Sequence, residues 1–148
     1  MNDNFQYTFN QLSEKELESF FQSHSTQQFS SQFQNPAIAS EYARKIKTLA
    51  HTIECRTYDG VLIAILAYYI NNFEKYIYIP YICVDMLWCR KGIASQLFFH
   101  LEKKFSNKNY EYRLEVRPNN HAALTLYSRL GYKYAKEQNE KWLMRKTK

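Results

Sequence analysis

The sequence predicts a single α/β domain in which helices flank one layered β-sheet. Segments rich in Tyr and Ile occupy the middle of the chain between turn-forming residues, and such residues favour strands. On either side of these segments, apolar residues recur at helical spacing, which is typical of amphipathic helices. The chain has 148 residues, the length of one domain, and no low-complexity linker divides it. We therefore expect residues 1–148 to form one unit.

The N-terminal region begins with a predicted strand and a predicted helix. Phe5, Tyr7 and Phe9 alternate with polar residues, which is the pattern of a strand with one buried face. The sequence Ser13-Glu14-Lys15-Glu16 then has the form of a helix capping box, in which Ser and Glu satisfy free backbone N–H groups. We therefore expect a first helix from about Glu14 to Gln22.

The next stretch separates this helix from a second one. Residues 23–36 are polar apart from Phe29 and Phe33, so we expect a loop or an irregular helical segment there. From Ser40 to Leu49 the composition again favours a helix. Its predicted apolar face carries residues at spacings of four and three, namely Tyr42, Ile46 and Leu49.

Three successive strands are predicted in the middle of the chain. Asp59-Gly60 is a dipeptide preferred in tight type I′ hairpin turns, and it joins a strand at His51–Tyr58 to one at Val61–Ile70. After a short turn, a third strand is predicted over Lys75–Val84. Pro80 lies inside it and cannot donate a ladder hydrogen bond, so it marks an edge, a bulge or a place where neighbouring strands separate.

The C-terminal part is predicted to add two helices and three strands. A helix opens at Gly92, a strand follows at Tyr112–Val116, and a second helix spans His121–Leu130. Gly131 ends that helix where left-handed backbone is needed. The helix that opens at Gly92 has an apolar residue at every fourth position: Ile93, Leu97, Leu101 and Phe105. Two further strands complete the predicted sheet, Tyr132–Ala135 and Lys141–Met144.

The net charge restricts the partners that we expect. A formal charge of +6 suits a nucleic acid, an anionic membrane or an anionic cofactor. The Lys and Arg residues are nevertheless scattered, apart from the Arg90-Lys91 pair and the basic C-terminal tail. No polybasic run resembles a nucleic-acid arm, so we do not expect nucleic-acid binding. A basic module with base-stacking tyrosines remains the rival interpretation from a different functional class.

The cysteines, the histidines and the N-terminus argue against other classes. Cys55, Cys83 and Cys89 form no CxxC pair, and the four histidines lack the spacing of metal ligands, so we expect no metal site. The N-terminus has no basic region followed by an apolar stretch, and no apolar run is long enough for a membrane span. We therefore predict a cytoplasmic protein that does not enter a membrane.

A short basic loop leads from the third central strand into the next helix. Over Val84–Ser95 the sequence runs through Arg90 and Lys91 into a helix that opens at Gly92. The first N–H groups of a helix have no helical partners, and the dipole adds about half a positive charge, so such a terminus binds anions such as pyrophosphate. Gly92 would let the anion approach the backbone closely. An ordinary surface loop with two basic residues is the alternative interpretation.

A second motif lies further along the chain, within Leu114–Tyr132. It has an Asn, an Ala three residues on, a Tyr four further and a Leu-Gly-aromatic ending, formed by Asn120, Ala123, Tyr127, Leu130, Gly131 and Tyr132. This pattern resembles the C-terminal half of the GNAT acetyltransferases. The basic loop is similar to the acetyl-CoA signature of that superfamily, Arg/Gln-x-x-Gly-x-Gly/Ala, aligned on Cys89–Ala94. The resemblance covers roughly Ile77–Tyr132 and fades over residues 1–50.

The resemblance implies a fold and a cofactor. The fold is the single-domain GNAT fold, a mixed and mostly antiparallel central sheet flanked by helices, with splayed fourth and fifth strands. The fourth strand carries a bulge, which Pro80-Tyr81 matches, and its backbone groups bind the pantetheine amides. The acetyl donor is acetyl-CoA, and no metal is involved. The residues implied to bind it are Ile82, Cys83, Val84, Arg90, Lys91, Gly92, Ile93, Ala94, Ser95, Asn120, Ala123 and Tyr127.

The resemblance also implies an N-acetyltransferase in which a primary amine attacks the thioester directly in a ternary complex. Tyr127 would donate to the departing sulfur, because a phenol with a pKa near 10 keeps its proton at neutral pH. Glu115 is the candidate base, acting through a water, because the matching acid serves that role in the ribosomal-protein N-terminal-amine acetyltransferases, which the C-terminal half resembles most. An ion pair with an Arg is the alternative for Glu115, and a core-edge position is the alternative for Tyr127.

Several points stay open at this stage. Cys89 stands where the signature usually has Arg or Gln, so Arg90 or Lys91 would have to compensate, and a non-catalytic acyl-CoA-binding module is the alternative function. The acceptor is a peptide N-terminus or a small amine such as an aminosugar or polyamine. A homodimer through an exposed sheet edge would be unsurprising. The aromatic residues expected to shape the acceptor pocket are Tyr76, Tyr78, Tyr81, Phe29 and Phe33.

Overall fold

Residues 5–23 and 31–147 are described by the computed structural model of this chain. Within them, seven strands form one sheet in the order β1-β2-β3-β4-β5-β7-β6, and every neighbouring pair is antiparallel except β4 and β5. The strands are β1 Phe5–Phe9, β2 His51–Thr57, β3 Leu62–Asn71, β4 Tyr76–Val84, β5 Glu111–Val116, β6 Lys133–Gln138 and β7 Lys141–Lys146. The helices are α1 Glu14–Ser23, α2 Pro36–Leu49, α3 Ile93–Lys104 and α4 His121–Arg129.

The sheet separates two apolar cores. On one face, α3 and α4 pack against alternate residues of β2, β4 and β5, and the apolar stripe of α3 is buried there as its spacing predicts. On the other face, α1 and α2 pack against β3 and β4, including Ile65, Ala67 and Tyr81. Because side chains alternate along a strand, neighbouring residues of β4 and β5 point to opposite cores. The architecture therefore confirms the mixed, mostly antiparallel sheet flanked by helices.

Strand β4 has the bulge and the separation from β5 that the resemblance implies, with the bulge one residue before the expected Pro80-Tyr81. Ala67 of β3 pairs with Tyr81, whereas Tyr69 pairs with Tyr78, so β4 contains one extra residue at Ile79-Pro80. The parallel pairing of β4 with β5 begins at Tyr76 and ends where Ile79 meets Leu114. Proline at position 80 cannot donate a hydrogen bond to a neighbouring strand. The two strands are thus paired only over the first half of β4.

The β2–β3 hairpin is present, but its turn is not the predicted two-residue type I′ turn. Gly60 N–H donates to the Thr57 carbonyl over 2.9 Å, and Thr57 N–H donates to the Val61 carbonyl over 2.9 Å. The loop therefore has three residues, and Gly60 alone among them has a positive φ, at +90°. A type I turn followed by one left-handed residue explains this geometry, since only the final position requires glycine.

Helix α2 begins earlier than the composition predicts. Pro36 occupies the first turn, and Asn35 caps the helix by accepting a 2.9 Å hydrogen bond from Ala37 N–H. The segment before it contains a 3-10 turn at Ser31–Gln34, in keeping with an irregular helical segment, whereas Phe29 lies outside the described residues. The prediction for the buried face was partly wrong, because Leu49 is 62% exposed. The residues of α2 that are buried are Ala39, Ala43 and Ile46.

Replacing Asn35 with alanine is expected to lower the free energy of unfolding by about 1 kcal/mol, because an unpaired N–H would remain at the start of α2. Urea denaturation followed by circular dichroism measures the change. Gln34→Ala is the matched control, since Gln34 is exposed and precedes the cap. Equal stability of the two variants would contradict the assigned role of Asn35.

The C-terminal elements follow the predicted order along the chain, with one placement that the sequence did not specify. Strand β7 lies between β5 and β6, so the last strand is inserted rather than added at the edge. Gly131 follows Leu130, the C-cap of α4, and has a φ of +102°, which confirms the left-handed helix end. None of the helices in the described ranges is long and apolar enough to cross a membrane.

Candidate active site

A cavity of about 350 Å³ lies between the second half of β4, the loop that follows it, and the helices α3 and α4. We call it the α3 cleft. Its floor is apolar, and its rim carries the basic side chains of Arg90 and Arg129. The residues that line it are Ile82, Cys83, Val84, Met86, Trp88, Cys89, Arg90, Gly92, Ile93, Ala94, Ser95, Asn120, Ala122, Ala123, Leu126, Tyr127 and Arg129. Every residue that the sequence indicated as cofactor-binding is among them except Lys91.

The N-terminus of α3 opens into this cleft without a side-chain cap. Gly92 is the capping residue, with a left-handed φ of +78°, and no described side chain accepts a hydrogen bond from the first turn. The first intrahelical bond there runs from Gln96 N–H to the Gly92 carbonyl. The preceding N–H groups, of Ile93–Ser95, have no place in the helical ladder, and the helix dipole adds positive potential. This terminus can therefore bind an anion.

The charges around the α3 cleft favour an anionic ligand. Arg90 has a left-handed φ of +64°, so the backbone turns sharply just before Gly92. Arg90 and Arg129 are both exposed, and no Asp or Glu is among the described residues that line the cleft. Lys91 points away from it and lines a separate surface cavity with Phe5 and Trp88. Of the two basic loop residues, only Arg90 is thus in position to compensate for Cys89.

Two residues of the predicted signature have other local roles as well. Asn120 caps α4, and its Oδ1 accepts a 3.2 Å hydrogen bond from Ala123 N–H. Cys89 is exposed, with its Sγ 3.7 Å from the Asp85 carbonyl oxygen. Met86, Trp88 and Leu126, which were not predicted from the sequence, extend the apolar wall of the cleft. Their apolar character was visible in the sequence, but the orientation of Met86 and Trp88 depends on the 3-10 turn at Met86–Trp88, and Leu126 joins them from α4.

Tyr127 lies on α4 and lines the α3 cleft. Its side chain is 7% exposed and packs edge-on against the ring of Phe98 at a centroid distance of 5.9 Å. Burial raises the pKa of Tyr127 to about 12, since a phenolate would lose its hydration. The hydroxyl therefore keeps its proton throughout the neutral range and can act as a hydrogen-bond donor to a group in the cleft.

A second cavity, of about 220 Å³, lies on the opposite face of the sheet beside β5. We call it the β5 cavity. It contains aromatic side chains from α2, β4 and the segment before α2, together with one carboxylate and two basic side chains. Its lining residues are Gln32, Phe33, Tyr42, Tyr78, Ile79, Pro80, Tyr81, Glu115, Val116, Arg117 and Lys141.

Glu115 supplies the carboxylate of the β5 cavity. Tyr78 Oη donates to its Oε1 over 3.2 Å, and Gln138 Nε2 donates to its Oε2 over 2.7 Å. Among the described residues, no Arg forms an ion pair with Glu115, and Arg113 pairs with Glu111 instead. Burial, and then the charge of Glu115, raise the pKa of Tyr78, so this phenol stays neutral and donates to the carboxylate.

The aromatic residues that were predicted to shape an acceptor pocket divide into three groups. Phe33, Tyr78 and Tyr81 line the β5 cavity, and Tyr42 joins them. Tyr76 does not, because it lines another surface cavity near the β3–β4 turn and stacks against the Arg113 guanidinium at 3.9 Å. Phe29 lies outside the described residues.

The two cavities meet the sheet where β4 and β5 separate. Residues Ile82–Val84 line the α3 cleft, whereas the preceding residues Tyr78–Tyr81 line the β5 cavity. Tyr127 is therefore on the α3 and α4 face, and Glu115 is on the face of α1 and α2. Pairing between the strands ends at Ile79 and Leu114, close to the point along β4 at which the lining changes from one cavity to the other. Among the described side chains, no group of three or more His, Cys, Asp or Glu could hold a metal ion.

Comparison with known proteins gives both a family and similar structures. The model of the Acetyltransferase (GNAT) family matches residues 9–132. Curated protein sequences give no significant match. Similar solved structures include the PaiA N-acetyltransferase of Thermoplasma acidophilum in complex with coenzyme A, at 17% identity over 97% of this chain and 99% of that chain, with a TM-score of 0.73.

Two other similar structures differ in the acceptor that their names give. One is a variant of the spermidine N-acetyltransferase SpeG of Vibrio cholerae, at 16% identity over 99% of this chain and 95% of that chain, with a TM-score of 0.73. The other is the ribosomal-protein-S18-alanine N-acetyltransferase of Escherichia coli, at 18% identity over 96% of this chain and 94% of that chain, with a TM-score of 0.72. Such low identities show the shared fold alone. Because the family model spans well over half of the sequence, the chain belongs to the GNAT acetyltransferase family.

Proposed function

We propose that this protein transfers the acetyl group of acetyl-CoA to a primary amine in a ternary complex. The observation that carries the proposal is the gap between β4 and β5, with a cleft for an anionic, extended ligand on one face and a cavity with a carboxylate on the other. Donor and acceptor can then reach the same gap from opposite sides. Such positioning of two reactants supplies a large part of the rate enhancement in direct transfer.

The α3 cleft fits acetyl-CoA in charge and in shape. The uncapped start of α3, with Arg90 beside it, suits the pyrophosphate, because N–H groups and a guanidinium both donate to phosphate oxygens. The apolar wall formed by Ile82, Val84 and Trp88 suits the pantetheine chain. The coenzyme A bound to the PaiA enzyme of the same fold supports this placement.

The reaction needs a neutral amine and a stabilised leaving group. The amine nitrogen bonds to the carbonyl carbon of the thioester, the carbon–sulfur bond breaks, and the sulfur departs with the electron pair and gains a proton while the amine loses one. Tyr127 stabilises the departing sulfur by donating a hydrogen bond. Full proton transfer from a phenol of pKa about 12 to a thiolate of pKa about 8.5 would cost roughly 5 kcal/mol. The proton that the sulfur gains is therefore supplied mainly by the amine and solvent.

Glu115 is proposed to accept the amine proton, directly or through a water. The importance of this step depends on the acceptor. A terminal amine with a pKa near 8 is about one-tenth neutral at pH 7, so forming its neutral state costs roughly 1.4 kcal/mol. For an alkylamine with a pKa near 10.4, the same step costs about 4.6 kcal/mol. The hydrogen bonds from Tyr78 and Gln138 hold the carboxylate in place on the acceptor side of the gap.

Replacing Gly92 with alanine tests the cofactor site. An L-residue at a φ of +78° costs about 1–2 kcal/mol, and a shift of this turn would misalign the N–H groups that face the pyrophosphate. We expect calorimetric titration to show micromolar acetyl-CoA binding to the unsubstituted protein and at least tenfold weaker binding to Gly92→Ala.

Gly60→Ala is the matched control. It has a φ of +90° and, like Gly92, open space where the methyl group would lie, but it belongs to the β2–β3 hairpin. Both substitutions should lower the free energy of unfolding by similar amounts. Equal loss of acetyl-CoA affinity in the two variants would show that backbone strain, and not the anion site, causes the effect.

The second candidate function is a non-catalytic acyl-CoA-binding module. The observation that favours it is Cys89, which replaces a side chain that usually supports the phosphate loop and which lies exposed at the cleft. A module of this kind would bind acetyl-CoA without acceptor-dependent release of thiol. The buried position of Tyr127 in the lining of the cleft favours catalysis instead.

A further inference from the structure

The β5 cavity contains more positive than negative charge. Its described lining residues include one acid, Glu115, and two bases, Arg117 and Lys141. Glu115 already accepts hydrogen bonds from Tyr78 and Gln138. Among the described residues, no ion pair and no side-chain hydrogen bond involves the guanidinium of Arg117 or the ammonium of Lys141. Two cations are thus available to a ligand in a cavity with a single carboxylate.

We propose that the acceptor is a small amine that carries a carboxylate, as an amino acid does. This inference rests on the proposed acetyltransferase function and specifies its second substrate. The acceptor carboxylate binds between Arg117 and Lys141, where charge-assisted hydrogen bonds hold it. Its amine then lies toward Glu115 and the gap between β4 and β5.

The size and walls of the cavity agree with this class of acceptor. Sites for drug-sized ligands typically have about 300–1,000 Å³, whereas the β5 cavity has about 220 Å³. Phe33 and Tyr81 are buried, and the Phe21–Phe33 and Phe33–Tyr42 rings stack at 4.9 and 5.2 Å, so the wall is preformed. An apolar or aromatic side chain of the acceptor fits against these rings.

The same charges disfavour other acceptors. A polyamine carries several ammonium groups, and the cavity offers them one carboxylate beside two repelling cations. For an amine held by its carboxylate, the nearby cations have a further effect, since they favour the neutral form that attacks the thioester. The charge pattern therefore selects the acceptor and also promotes its deprotonation.

The test compares three acceptors that share a phenol ring and a primary amine, namely tyrosine, tyrosinamide and tyramine, together with spermidine and a tripeptide that has an acidic second residue. Acetylation is followed by thiol release and mass spectrometry at saturating acetyl-CoA. We expect Lys141→Gln to raise KM for tyrosine about tenfold and to change KM for tyramine less than twofold. For each amine, the KM of the variant is divided by the KM of the unsubstituted protein, so the different basicities of the three amines cancel.

Lys136→Gln is the matched control, because Lys136 is an exposed lysine of β6 outside the cavity, and it should leave every KM unchanged. Equal changes in KM for tyrosine and tyramine, or a higher kcat/KM for spermidine or the tripeptide than for tyrosine, would overturn the inference and leave the acetyltransferase proposal standing. Absence of acetylation with every acceptor, while acetyl-CoA still binds, would overturn both.

Discussion

Replacing Tyr127 with phenylalanine is expected to lower kcat by about 10²- to 10³-fold while acetyl-CoA binds with unchanged affinity. The hydroxyl is proposed to stabilise sulfur as negative charge develops on it, so its removal acts on the transition state more than on the bound ground state. The ring itself remains and keeps its edge-on contact with Phe98. Steady-state kinetics and calorimetric titration of the two proteins measure the two quantities separately.

Tyr132→Phe is the matched control for this experiment. Tyr132 lies in the same aromatic cluster, at a centroid distance of 6.1 Å from Tyr127, and its buried hydroxyl has no hydrogen-bond partner. Removing that hydroxyl should leave kcat unchanged and should not reduce stability, because no bond is lost. If Tyr127→Phe retained full kcat, or if the two variants lost activity equally, the proposed role of the Tyr127 hydroxyl would be wrong.

Replacing Glu115 with glutamine is expected to reduce kcat/KM by about 10²-fold near pH 7 with an alkylamine acceptor. The loss should become smaller as pH rises toward the pKa of the amine, since the acceptor then loses its proton to solvent without help. Glutamine preserves the shape of the side chain and can still accept the hydrogen bond from Gln138. A pH–rate profile of both proteins from pH 6.5 to 9.5 measures the effect.

Glu111→Gln serves as the control for the Glu115 variant. Glu111 is on the same strand and the same face of the sheet, but it bonds Arg113 and lies outside the β5 cavity. We expect its pH–rate profile to match that of the unsubstituted protein. A loss in Glu115→Gln that did not vary with pH would indicate a role in binding the acceptor, and the assignment of Glu115 as base would then fail.

Much of the fold was predictable because local patterns agree with the final packing. Each correct prediction followed from one local requirement of the backbone or the core. Examples are the alternation in β1, the apolar residue at every fourth position of α3, and Gly131 after α4. The start of α2 and the type of the β2–β3 turn were predicted wrongly, because a capping residue or a single left-handed residue decided the geometry there. Asn35 with Pro36 starts α2 before its apolar spacing begins, and Gly60 alone adopts the left-handed conformation in the hairpin.

The candidate site was predictable on one face of the sheet and less so on the other. The α3 cleft comes from two continuous segments, each of which resembles a GNAT motif, and that resemblance placed Gly92 and Tyr127 at one site in the prediction. The β5 cavity combines α2, β4, β5 and the start of β7, and its basic side chains Arg117 and Lys141 are distant in sequence. Their proximity depends on the insertion of β7 beside β5, which no local pattern encodes.

The central claim is that acetyl groups pass from acetyl-CoA to an amine through the gap between β4 and β5. Incubation of the purified protein with isotopically labelled acetyl-CoA and a mixed set of amines, followed by mass spectrometry, tests it most directly. We predict a labelled N-acetyl product that forms in equal amount to the released thiol and only in the presence of an acceptor. Bound acetyl-CoA that stays intact with every amine would contradict the claim and favour the binding module.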